Sequence, residues 1–490
     1  MQLKKLLEKL EYTCINGTEE AEVTGVVYDS RKIREGNAFV CLKGAVYDGH
    51  KYAKEAVQKG AAVLIVEEPV EAEDVTIILV KNSRKALSYM AAAWFGYPAE
   101  QMKIIGITGT KGKTTTTYMV KSILDSVGHK TGLIGTIETI IGDEHIPACN
   151  TTPESYVIQE SFRKMADAGC DAVVMEVSSQ GLKLDRTAGI LFDIGIFTNL
   201  EPDHIGPNEH ESFEEYQYCK GLLFKQCKTG IVNADDEHTQ KVLEDHTCAV
   251  ESFGFSENAD LRACDVRLVK EAHMLGVAYH VKGLMDFEVE VDIPGRFSVY
   301  NSLTAIAICR HFKVPEDKIR QALKCAKVKG RIEMVQVSDA FTLMIDYAHN
   351  AMSLESLLGT LKEYNPKRLV CVFGCGGNRS KLRRYEMGEV AGRLADLTII
   401  TSDNPRFEEP EAIIQDIITG IEKTDGEYVT ITDRKEAISY AISNGQPGDV
   451  IVLAGKGHED YQEIKGVKYP MDERVLIQEV LEELKAQKTQ

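Results

Sequence analysis

A glycine-rich segment that ends in lysine and threonine carries the clearest chemistry in this sequence. It reads Gly106-Ile107-Thr108-Gly109-Thr110-Lys111-Gly112-Lys113-Thr114 and joins an apolar run to a stretch with helical periodicity. Glycines let backbone N–H groups close around phosphate oxygens, and a helix N-terminus adds a positive dipole. Lys113 would bridge the β- and γ-phosphates of a nucleotide, and Thr114 or Thr115 would reach its magnesium ion. The strict Walker spacing requires Gly at residue 107, where this chain has Ile, so an ordinary strand–helix turn is the alternative. The coincidence of strand, glycine-rich loop, Gly-Lys-Thr and helix favours a nucleotide site.

A carboxylate and a histidine follow two further apolar segments. Glu176 follows Ala172-Val173-Val174-Met175, and His204 comes shortly after the run 192–199. Ligands of doubly wound sheets bind beyond the carboxyl ends of the strands, so both side chains should face the glycine-rich loop. Magnesium prefers a few oxygen ligands together with water and substrate phosphate, and Glu176 can supply such an oxygen. A single histidine near a loop is more often structural, so His204 is a candidate only in this context.

Repeated strand–loop–helix patterns would position these residues. From Lys103 onward the pattern is typical of a mostly parallel α/β sheet with strands at 103–108, 171–178 and 192–199. A second doubly wound unit is predicted beyond Gly330, and residues 1–98 mix short strands and helices. We therefore predict an α/β protein with three domains, at 1–98, 99–329 and 330–490.

Composition and charge exclude several classes of protein. The 490 residues are 43% hydrophobic and 27% charged, as in a globular chain of several domains. A net charge of −18 argues against a nucleic-acid partner or an anionic membrane surface. Apolar runs are too short for a membrane span, and the N-terminus lacks the apolar core of a secretory signal. The twelve cysteines show no paired CxxC spacing and are typical of reduced thiols in a cytosolic protein.

In order and spacing, these motifs resemble the Mur ligase family. The resemblance rests on the glycine-rich loop, on Glu176-Val177-Ser178-Ser179 and on Thr198-Asn199-Leu200 with Asp203-His204, and it covers nearly the whole chain. It implies an N-terminal UDP-binding α/β domain, a central P-loop-type ATPase domain with a mostly parallel sheet, and a C-terminal Rossmann-like domain that binds an amino acid. It also implies a cytoplasmic, monomeric ligase that uses ATP and Mg²⁺ to convert a carboxylate into an acyl phosphate, which an amine then attacks.

The resemblance assigns residues to each substrate. The UDP-muramyl dipeptide would be bound by Ser30, Asn150, Thr151, Thr152, Ser178 and Arg186. ATP would be bound by Gly109, Thr110, Lys111, Gly112, Lys113, Thr114, Thr115, Asn301, Arg331 and Asp346. The implied catalytic residues are Lys113, Glu176, His204 and Lys220.

The same resemblance implies two metal sites. Thr114, Glu176 and His204 would serve magnesium, and His204 is assigned to the metal rather than to a general base. Lys220 aligns with a lysine that the family carbamoylates to hold a second magnesium ion. Without that match, a lysine in a helical segment indicates a solvated side chain.

Two polar segments in the C-terminal third combine guanidinium and carboxylate groups. Asp403-Asn404-Pro405-Arg406 follows one predicted strand, and Gly455-Lys456-Gly457-His458-Glu459 follows another. Each could be an ordinary polar loop. Together they predict a pocket in which Arg406 and Arg379 bind carboxylates and Glu459 binds an ammonium, with Asp403, Asn404 and Gly455 beside them. Such a pocket fits a diamino acid, and the Asp-Asn-Pro-Arg run matches family members that add meso-diaminopimelate to the dipeptide rather than lysine.

Three departures from the family pattern leave alternatives open. They lie at 205–210, 350–352 and 378–385. One alternative is a diverged paralogue that joins lysine, another amino acid or another carboxylate acceptor. Another is a nucleotide-binding module without turnover. The retained Lys113, Glu176, His204 and Lys220 argue against that alternative, because a pure binder need not keep two metal sites. For Arg406, the alternative is an ion pair with Glu408 or Glu409.

Overall fold

A computed structural model describes residues 1–44, 47–203, 205–206, 209–271 and 274–488 of the chain. The chain divides into two compact units, Met1–Arg262 with Leu303–Ile319 and Ala263–Ser302 with Arg320–Gln490. No helix in the described ranges combines the length and apolar character that a membrane crossing requires.

The first unit opens with a small sheet and its covering helices. The strands are β1 Tyr12–Asn16, β2 Gly25–Val27, β3 Asn37–Val40, β4 Val63–Val66 and β5 Thr76–Val80, and the helices are α1 Leu3–Leu6, α2 Ala53–Gln58 and α3 Ser83–Trp94. The strand order is β1-β5-β4-β3-β2, with only β1 antiparallel to its neighbour. β3 and β4 are buried along their whole length, as expected for parallel strands covered on both faces.

A larger sheet in the same unit carries the glycine-rich loop. Its strands are β6 Lys103–Thr108, β7 Thr131–Ile134, β8 Glu138–Ile141, β9 Glu144–Pro147, β10 Ala172–Glu176, β11 Phe192–Phe197, β12 Cys227–Asn233 and β13 Ala249–Gly254. Its helices are α4 Lys113–Ser126, α5 Ser155–Asp167, α6 Ser179–Lys183, α7 Phe213–Gly221 and α8 Thr239–Val242.

The order of these strands brings the predicted site residues to one edge. Within the first unit the strand order is β13-β12-β11-β6-β10-β7-β8-β9, and the strands are parallel from β13 to β7. β6 lies between β10 and β11, with Glu176 opposite Ile107 and Phe197 opposite Thr108. The carboxyl ends of the three central strands therefore meet where the glycine-rich loop begins.

The second unit contains another mostly parallel sheet. The remaining strands are β14 Leu261–Glu271, β15 Met274–Gly283, β16 Phe287–Val291, β17 Glu333–Val335, β18 Thr342–Asp346, β19 Arg368–Phe373, β20 Leu397–Ile400, β21 Tyr428–Thr430, β22 Asp449–Ala454, β23 Tyr461–Ile464 and β24 Val467–Pro470. The helices α9 Arg296–Arg310 and α10 Glu316–Lys324 each have residues in both units, and the helices of the second unit alone are α11 Ala351–Lys362, α12 Lys381–Leu394, α13 Pro410–Ile421, α14 Arg434–Ser443 and α15 Glu473–Lys488.

Within this unit the main sheet has the order β17-β18-β22-β19-β20-β21, and only β17 is antiparallel to its neighbour. β23 and β24 form a separate antiparallel hairpin. The predicted α/β class with mostly parallel sheets is thus confirmed.

Candidate active site

The glycine-rich loop joins β6 to α4 in a conformation that depends on its glycines. Gly109 has φ +148° and Gly112 has φ +86°, values that L side chains rarely adopt. A Cβ on Gly109 would also lie 1.9 Å from the Thr198 hydroxyl oxygen. α4 begins at Lys113, so the unpaired N–H groups of its first turn adjoin the loop. This is the local geometry predicted for phosphate binding.

Residues at the end of β11 hold the loop backbone in place. The side-chain oxygen of Asn199 accepts from Lys111 N at 2.8 Å, and its amide nitrogen donates to Lys111 O at 3.1 Å. The Thr198 hydroxyl donates to the same carbonyl oxygen at 2.7 Å. Thr198 and Asn199 therefore fix the loop that the nucleotide would contact.

Two lysines lie together beneath the loop. The Lys113 ammonium donates to the carbonyl oxygens of Gly109, at 2.8 Å, and Thr110, at 3.1 Å. Lys220, on α7, also donates to Gly109 O at 2.8 Å, and its ammonium lies 4.3 Å from the Tyr216 ring centroid. The Lys220 residue is 1% exposed, so the solvated-lysine alternative is wrong. Burial, followed by the charge of Lys113, lowers the pKa of Lys220 well below its ordinary value.

Two hydroxyl groups and one backbone N–H donate hydrogen bonds to the Glu176 carboxylate. Its Oε2 accepts from the hydroxyls of Thr114 and Thr136, at 3.0 Å each, and its Oε1 accepts from Thr136 N at 2.8 Å. Thr115, the other threonine predicted here, is half-buried on α4. Carboxylate and hydroxyl oxygens are the hard donors that magnesium prefers, so the side chains present fit this ion.

The loop 203–210 is described in part. His204 lies outside the described residues, as do residues 207 and 208. His210 is fully buried, and its Nε2 lies 2.8 Å from the Ser179 hydroxyl oxygen. His210, at the end of the segment that departs from the family pattern, therefore packs against the turn that follows Glu176.

Most of the predicted UDP-substrate residues cluster beside Glu176. The Thr152 hydroxyl donates to Glu176 O at 3.0 Å and accepts from Ser178 N at 2.8 Å. The Arg186 guanidinium donates to Thr152 O at 2.8 Å. The Thr151 hydroxyl lies 3.0 Å from that of Thr136. Thr152 thus bonds directly to the backbone of Glu176, and Thr151 is connected to the Glu176 carboxylate through the Thr136 hydroxyl.

Two predicted UDP-substrate residues stand outside this cluster. Asn150 is exposed. Ser30 begins a short 3₁₀ helix, and its carbonyl oxygen accepts from the Lys59 ammonium at 3.1 Å. Among the described contacts, none joins Ser30 to Thr152 or Arg186.

In the second unit, Asp346 orders the backbone around Arg331. Its two carboxylate oxygens accept from Ile332 N and Ala348 N, at 2.8 Å each. The Arg331 guanidinium lies 4.8 Å from the Tyr347 ring centroid, within the range of a cation–π contact. Burial raises the pKa of Asp346. Asn301, the other predicted nucleotide residue of this unit, lies on α9 and is largely buried.

The Arg406 guanidinium is bound by the β23–β24 hairpin. Its Nε donates to the Glu463 carboxylate at 3.1 Å, and Nη1 donates to Gly377 O at 2.7 Å. The expected alternative partner, Glu408, instead receives two bonds from Arg384, at 2.8 and 2.7 Å. The alternative pairing of Arg406 with a neighbouring acid on its own loop is therefore wrong, because the acid comes from β23.

The remaining predicted amino-acid residues surround the same region. The Asn404 amide donates to Glu459 Oε2 at 2.9 Å, and Asp403 Oδ1 accepts from Asn404 N at 2.6 Å. A Cβ on Gly455 would lie 3.1 Å from Asp403 Oδ2. Arg379 is exposed and, in the part of the chain that the structure describes, makes no hydrogen bond or ion pair. These contacts join Asn404 to Glu459 and leave Arg379 at the surface.

Three residues of the site were not identified from the sequence. Thr136 lies just beyond the carboxyl end of β7, so the strand-end rule that selected Glu176 could have found it. Lys456 lies in the segment 455–459, which the sequence predicts to line the amino-acid pocket, but the sequence predicts no role for its ammonium. Glu463 lies in a short hairpin with no motif, and no sequence signal connects it to Arg406.

Three family models match successive parts of the chain. The model described as Mur ligase family, catalytic domain, matches residues 22–95. The Mur ligase middle domain matches residues 107–309, and the Mur ligase glutamate ligase domain matches residues 330–457.

Full-length relatives carry one enzyme name. The UDP-N-acetylmuramoyl-L-alanyl-D-glutamate–2,6-diaminopimelate ligase of Clostridium perfringens is 43% identical over 98% of this chain and 100% of its own length. The enzyme of that name from Caldanaerobacter subterraneus is 43% identical over 99% of both chains. A solved structure of a ligase with the same name has a TM-score of 0.73 and 27% identity, and the match covers 99% of each chain.

Proposed function

The chain belongs to the Mur ligase family and is an ATP-dependent ligase, and we propose that it adds diaminopimelate to UDP-N-acetylmuramoyl-L-alanyl-D-glutamate in peptidoglycan synthesis. The relatives of that name, aligned from end to end with this chain, support the reaction. The structural observation that carries the choice of amino acid is a hydrogen-bonded network in the second unit, in which Asn404 bonds to both Glu459 and Glu463, and Glu463 pairs with Arg406.

The reaction proceeds in two chemical steps. The γ-phosphoryl group of ATP is transferred to the glutamyl carboxylate of the dipeptide, which gives an acyl phosphate and ADP. The amine of the incoming amino acid then attacks the acyl carbon, and phosphate leaves from the tetrahedral intermediate. Positioning and charge neutralisation account for most of the catalysis in phosphoryl transfer. The loop N–H groups and Lys113 serve this purpose, and Asn301, Arg331 and Asp346 are the proposed nucleotide residues of the second unit.

Magnesium is the proposed metal. The Thr114 hydroxyl and the Glu176 carboxylate would hold it, and bound magnesium supplies positive charge to the transferring phosphoryl group. His204 is proposed as a further ligand. Lys220 is proposed to become a carbamate by adding its neutral amine to CO₂ with loss of one proton, so that its two oxygens hold a second ion.

The UDP-muramyl dipeptide is proposed to bind beside this metal cluster. The Thr152 hydroxyl donates to the backbone carbonyl of Glu176, Ser178 N and the Arg186 guanidinium donate to Thr152, and Thr151 contacts Thr136. A substrate held there has its carboxylate next to the glycine-rich loop. Asn150 and Ser30 are proposed to contact other parts of the same long substrate.

The incoming diamino acid is proposed to bind in the second unit. Arg406, with Arg379 at the exposed end, binds the carboxylates, and Glu459 binds an ammonium. Asp403, Asn404 and Gly455 shape the same region. Because Glu463 already pairs with Arg406, lysine would not leave this guanidinium without an acid. Preference for meso-diaminopimelate over lysine then rests on the direct bond between the Arg406 guanidinium and the second carboxylate of diaminopimelate.

We further propose a monomer that acts in the cytoplasm. All twelve cysteines are free, as in a reducing compartment.

An amino-acid panel tests the function. Purified protein, UDP-muramyl dipeptide, ATP and magnesium are incubated with meso-diaminopimelate, lysine or other amino acids, and the products are weighed by mass spectrometry. We expect the tripeptide product and ADP only when both acceptor and diaminopimelate are present. Equal use of lysine contradicts the amino-acid assignment, and phosphate release that needs neither substrate contradicts the ligase.

A further inference from the structure

A buried lysine lies beneath the proposed amino-acid site. Lys456 follows β22, and its side chain is 0% exposed. Its ammonium lies 3.0 Å from Asn404 Oδ1, 2.7 Å from Glu459 Oε2 and 2.5 Å from Tyr461 O. A lysine ammonium has three N–H donors, and three acceptors surround this one. Lys456 therefore has no donor left for a substrate and acts on its neighbours.

We propose that Lys456 is a positioning residue, which fixes the Asn404 amide and the Glu459 carboxylate so that Glu459 presents one oxygen to the ammonium of the incoming amino acid. The inference rests on the proposed function, because Glu459 is assigned to the amino acid there. It adds a residue that has no contact with substrate and still determines the affinity for it.

The first consequence concerns the orientation of the Asn404 amide. Its Oδ1 accepts from both the Lys456 ammonium and Glu463 N, the latter at 2.8 Å. A flipped amide would turn its NH₂ group toward these two donors, which is unfavourable. The NH₂ group consequently points at Glu459 Oε2, at 2.9 Å.

The second consequence concerns the two oxygens of Glu459. Oε2 accepts from both Lys456 and Asn404. Oε1 has, among the described hydrogen bonds, one long contact of 3.5 Å with the Tyr347 hydroxyl. That geometry leaves Oε1 as the oxygen available to an ammonium, since a bond of this length is weak.

The third consequence concerns the charge of Glu459. Burial raises its pKa, but the Lys456 ammonium and the Asn404 amide outweigh burial and hold the pKa below its ordinary value. Other titratable or charged groups in this region are His458, Tyr347, Tyr461, Asp403 and Arg331. Burial, followed by Arg331, lowers the pKa of His458 to about 4, so His458 is neutral near pH 7 and cannot replace Lys456.

The same network reaches the guanidinium at the other end of the site. Glu463 donates its N–H to Asn404 and accepts from Arg406 through its carboxylate. Asn404 therefore connects the Lys456–Glu459 ion pair to the Arg406–Glu463 ion pair. The groups proposed for an ammonium and for a carboxylate are held in one hydrogen-bonded framework.

Substitution of Lys456 by methionine tests the inference in the full-length enzyme. With Lys456→Met we expect KM for diaminopimelate to rise about tenfold or more, while KM for ATP and for the dipeptide stay within about twofold. The acid limb of kcat/KM for diaminopimelate should move to higher pH, because Glu459 loses the cation that keeps it ionised. Lys423→Met, which removes an exposed lysine that pairs with Glu389 at 3.3 Å, is the control and should leave all three KM values unchanged.

A double-mutant cycle separates positioning from a general loss of structure. In a Glu459→Gln background, Lys456→Met should change KM for diaminopimelate by less than about twofold, because its effect passes through Glu459. The double variant also leaves no buried charge unpaired, so the comparison with Glu459→Gln remains available if Lys456→Met alone fails to fold. Additive effects, or an equal rise of KM for all three substrates, would overturn the proposal.

The wild-type enzyme separates this inference from the proposed function. If it joins another amino acid, the same variants are measured with that amino acid. If it joins none, the function is wrong, and the inference is judged by the carboxyl pKa of Glu459 from carbon-13 NMR. That pKa should rise in Lys456→Met, and an unchanged pKa would overturn the role of Lys456.

Discussion

Lys113 and Lys220 donate to the same acceptor, the carbonyl oxygen of Gly109, each at 2.8 Å. Two ammonium groups on one buried carbonyl repel each other unless one is neutral or an anion lies between them. ATP phosphate beside Lys113 and a carbamate on Lys220 would each supply such an anion. The glycine-rich loop thus connects the nucleotide site to the proposed second metal site through a single backbone atom.

Substitution of Lys113 tests the nucleotide site. Lys113→Ala should abolish turnover, because Lys113 is the lysine proposed to neutralise the transferring phosphoryl group, whereas the Lys111 ammonium pairs with Glu201 at 2.6 Å. The fold should be retained, since Lys113 is partly exposed and its hydrogen bonds go to loop carbonyls. ADP formation and circular dichroism measure the two effects. Turnover like that of the wild type would contradict the assignment.

Substitution of Lys220 tests carbamoylation. Lys220→Ala should be nearly inactive, and short carboxylic acids in the assay should restore part of the activity by replacing the carbamate oxygens. The mass of the intact wild-type protein under CO₂ should include the added group. Lys225→Ala, which removes a more exposed lysine of the next turn, is the matched control. An active Lys220→Ala variant would exclude the role.

Thr136 gives a test of the metal cluster. Thr136→Val removes the hydroxyl that donates to Glu176 Oε2 and leaves the backbone bond to Oε1. Loss of a partner that orients a metal ligand typically weakens metal affinity about ten- to a hundredfold. The activation constant for magnesium should rise within that range, whereas Thr229→Val on β12 should not change it. An unchanged magnesium requirement would show that Thr136 does not orient Glu176.

Arg384 stabilises the second unit through a buried ion-pair cluster. Its hydrogen bonds to Glu408 lower the pKa of that carboxyl to about 2, against about 4.3 in an unfolded chain. A depressed pKa contributes stability above the unfolded value and loses it as pH falls toward the folded value. Arg384→Met should therefore cost about 2–3 kcal/mol at pH 7, and the difference from wild type should shrink between about pH 4 and pH 2.

Hydrogen–deuterium exchange of α12 and α13 measures this local stability. Arg393→Met provides the control, because Arg393 is an exposed residue of α12 that pairs with Glu355 at 2.6 Å. A surface pair of this kind contributes about 0–1 kcal/mol. A similar loss of exchange protection in both variants would contradict the prediction that the buried Arg384 contributes more stability than the exposed Arg393.

The sequence predicted the strands that end at the site better than it predicted the contacts inside the site. β6, β10 and β11 could be identified because apolar residues dominate each of them, and the strand-end rule then places Glu176 beside the loop. Lys456 and Glu463 could not be assigned, because their roles depend on a hairpin that folds back onto Asn404 and Arg406. The sequence offers Glu408 and Glu409 as acid partners of Arg406, whereas its partner in the structure is Glu463 of β23.

The last prediction concerns the choice between diaminopimelate and lysine at Arg406. The Arg406 guanidinium still pairs with the Glu463 carboxylate when lysine binds, so no unpaired charge results. Lysine lacks only the charge-assisted hydrogen bond between Arg406 and the second carboxylate of diaminopimelate, which contributes about 1.5–3 kcal/mol. We therefore expect kcat/KM to favour diaminopimelate by about ten- to a hundredfold. Arg406→Ala should reduce this ratio toward one without changing KM for ATP, and Arg393→Ala should leave the ratio as it is. Glu463→Gln should widen the ratio, because Arg406 then lacks an acid when lysine binds. Competition between the two amino acids in one reaction, read by product mass, measures all four ratios, and a wild type that uses lysine equally well would refute this specificity.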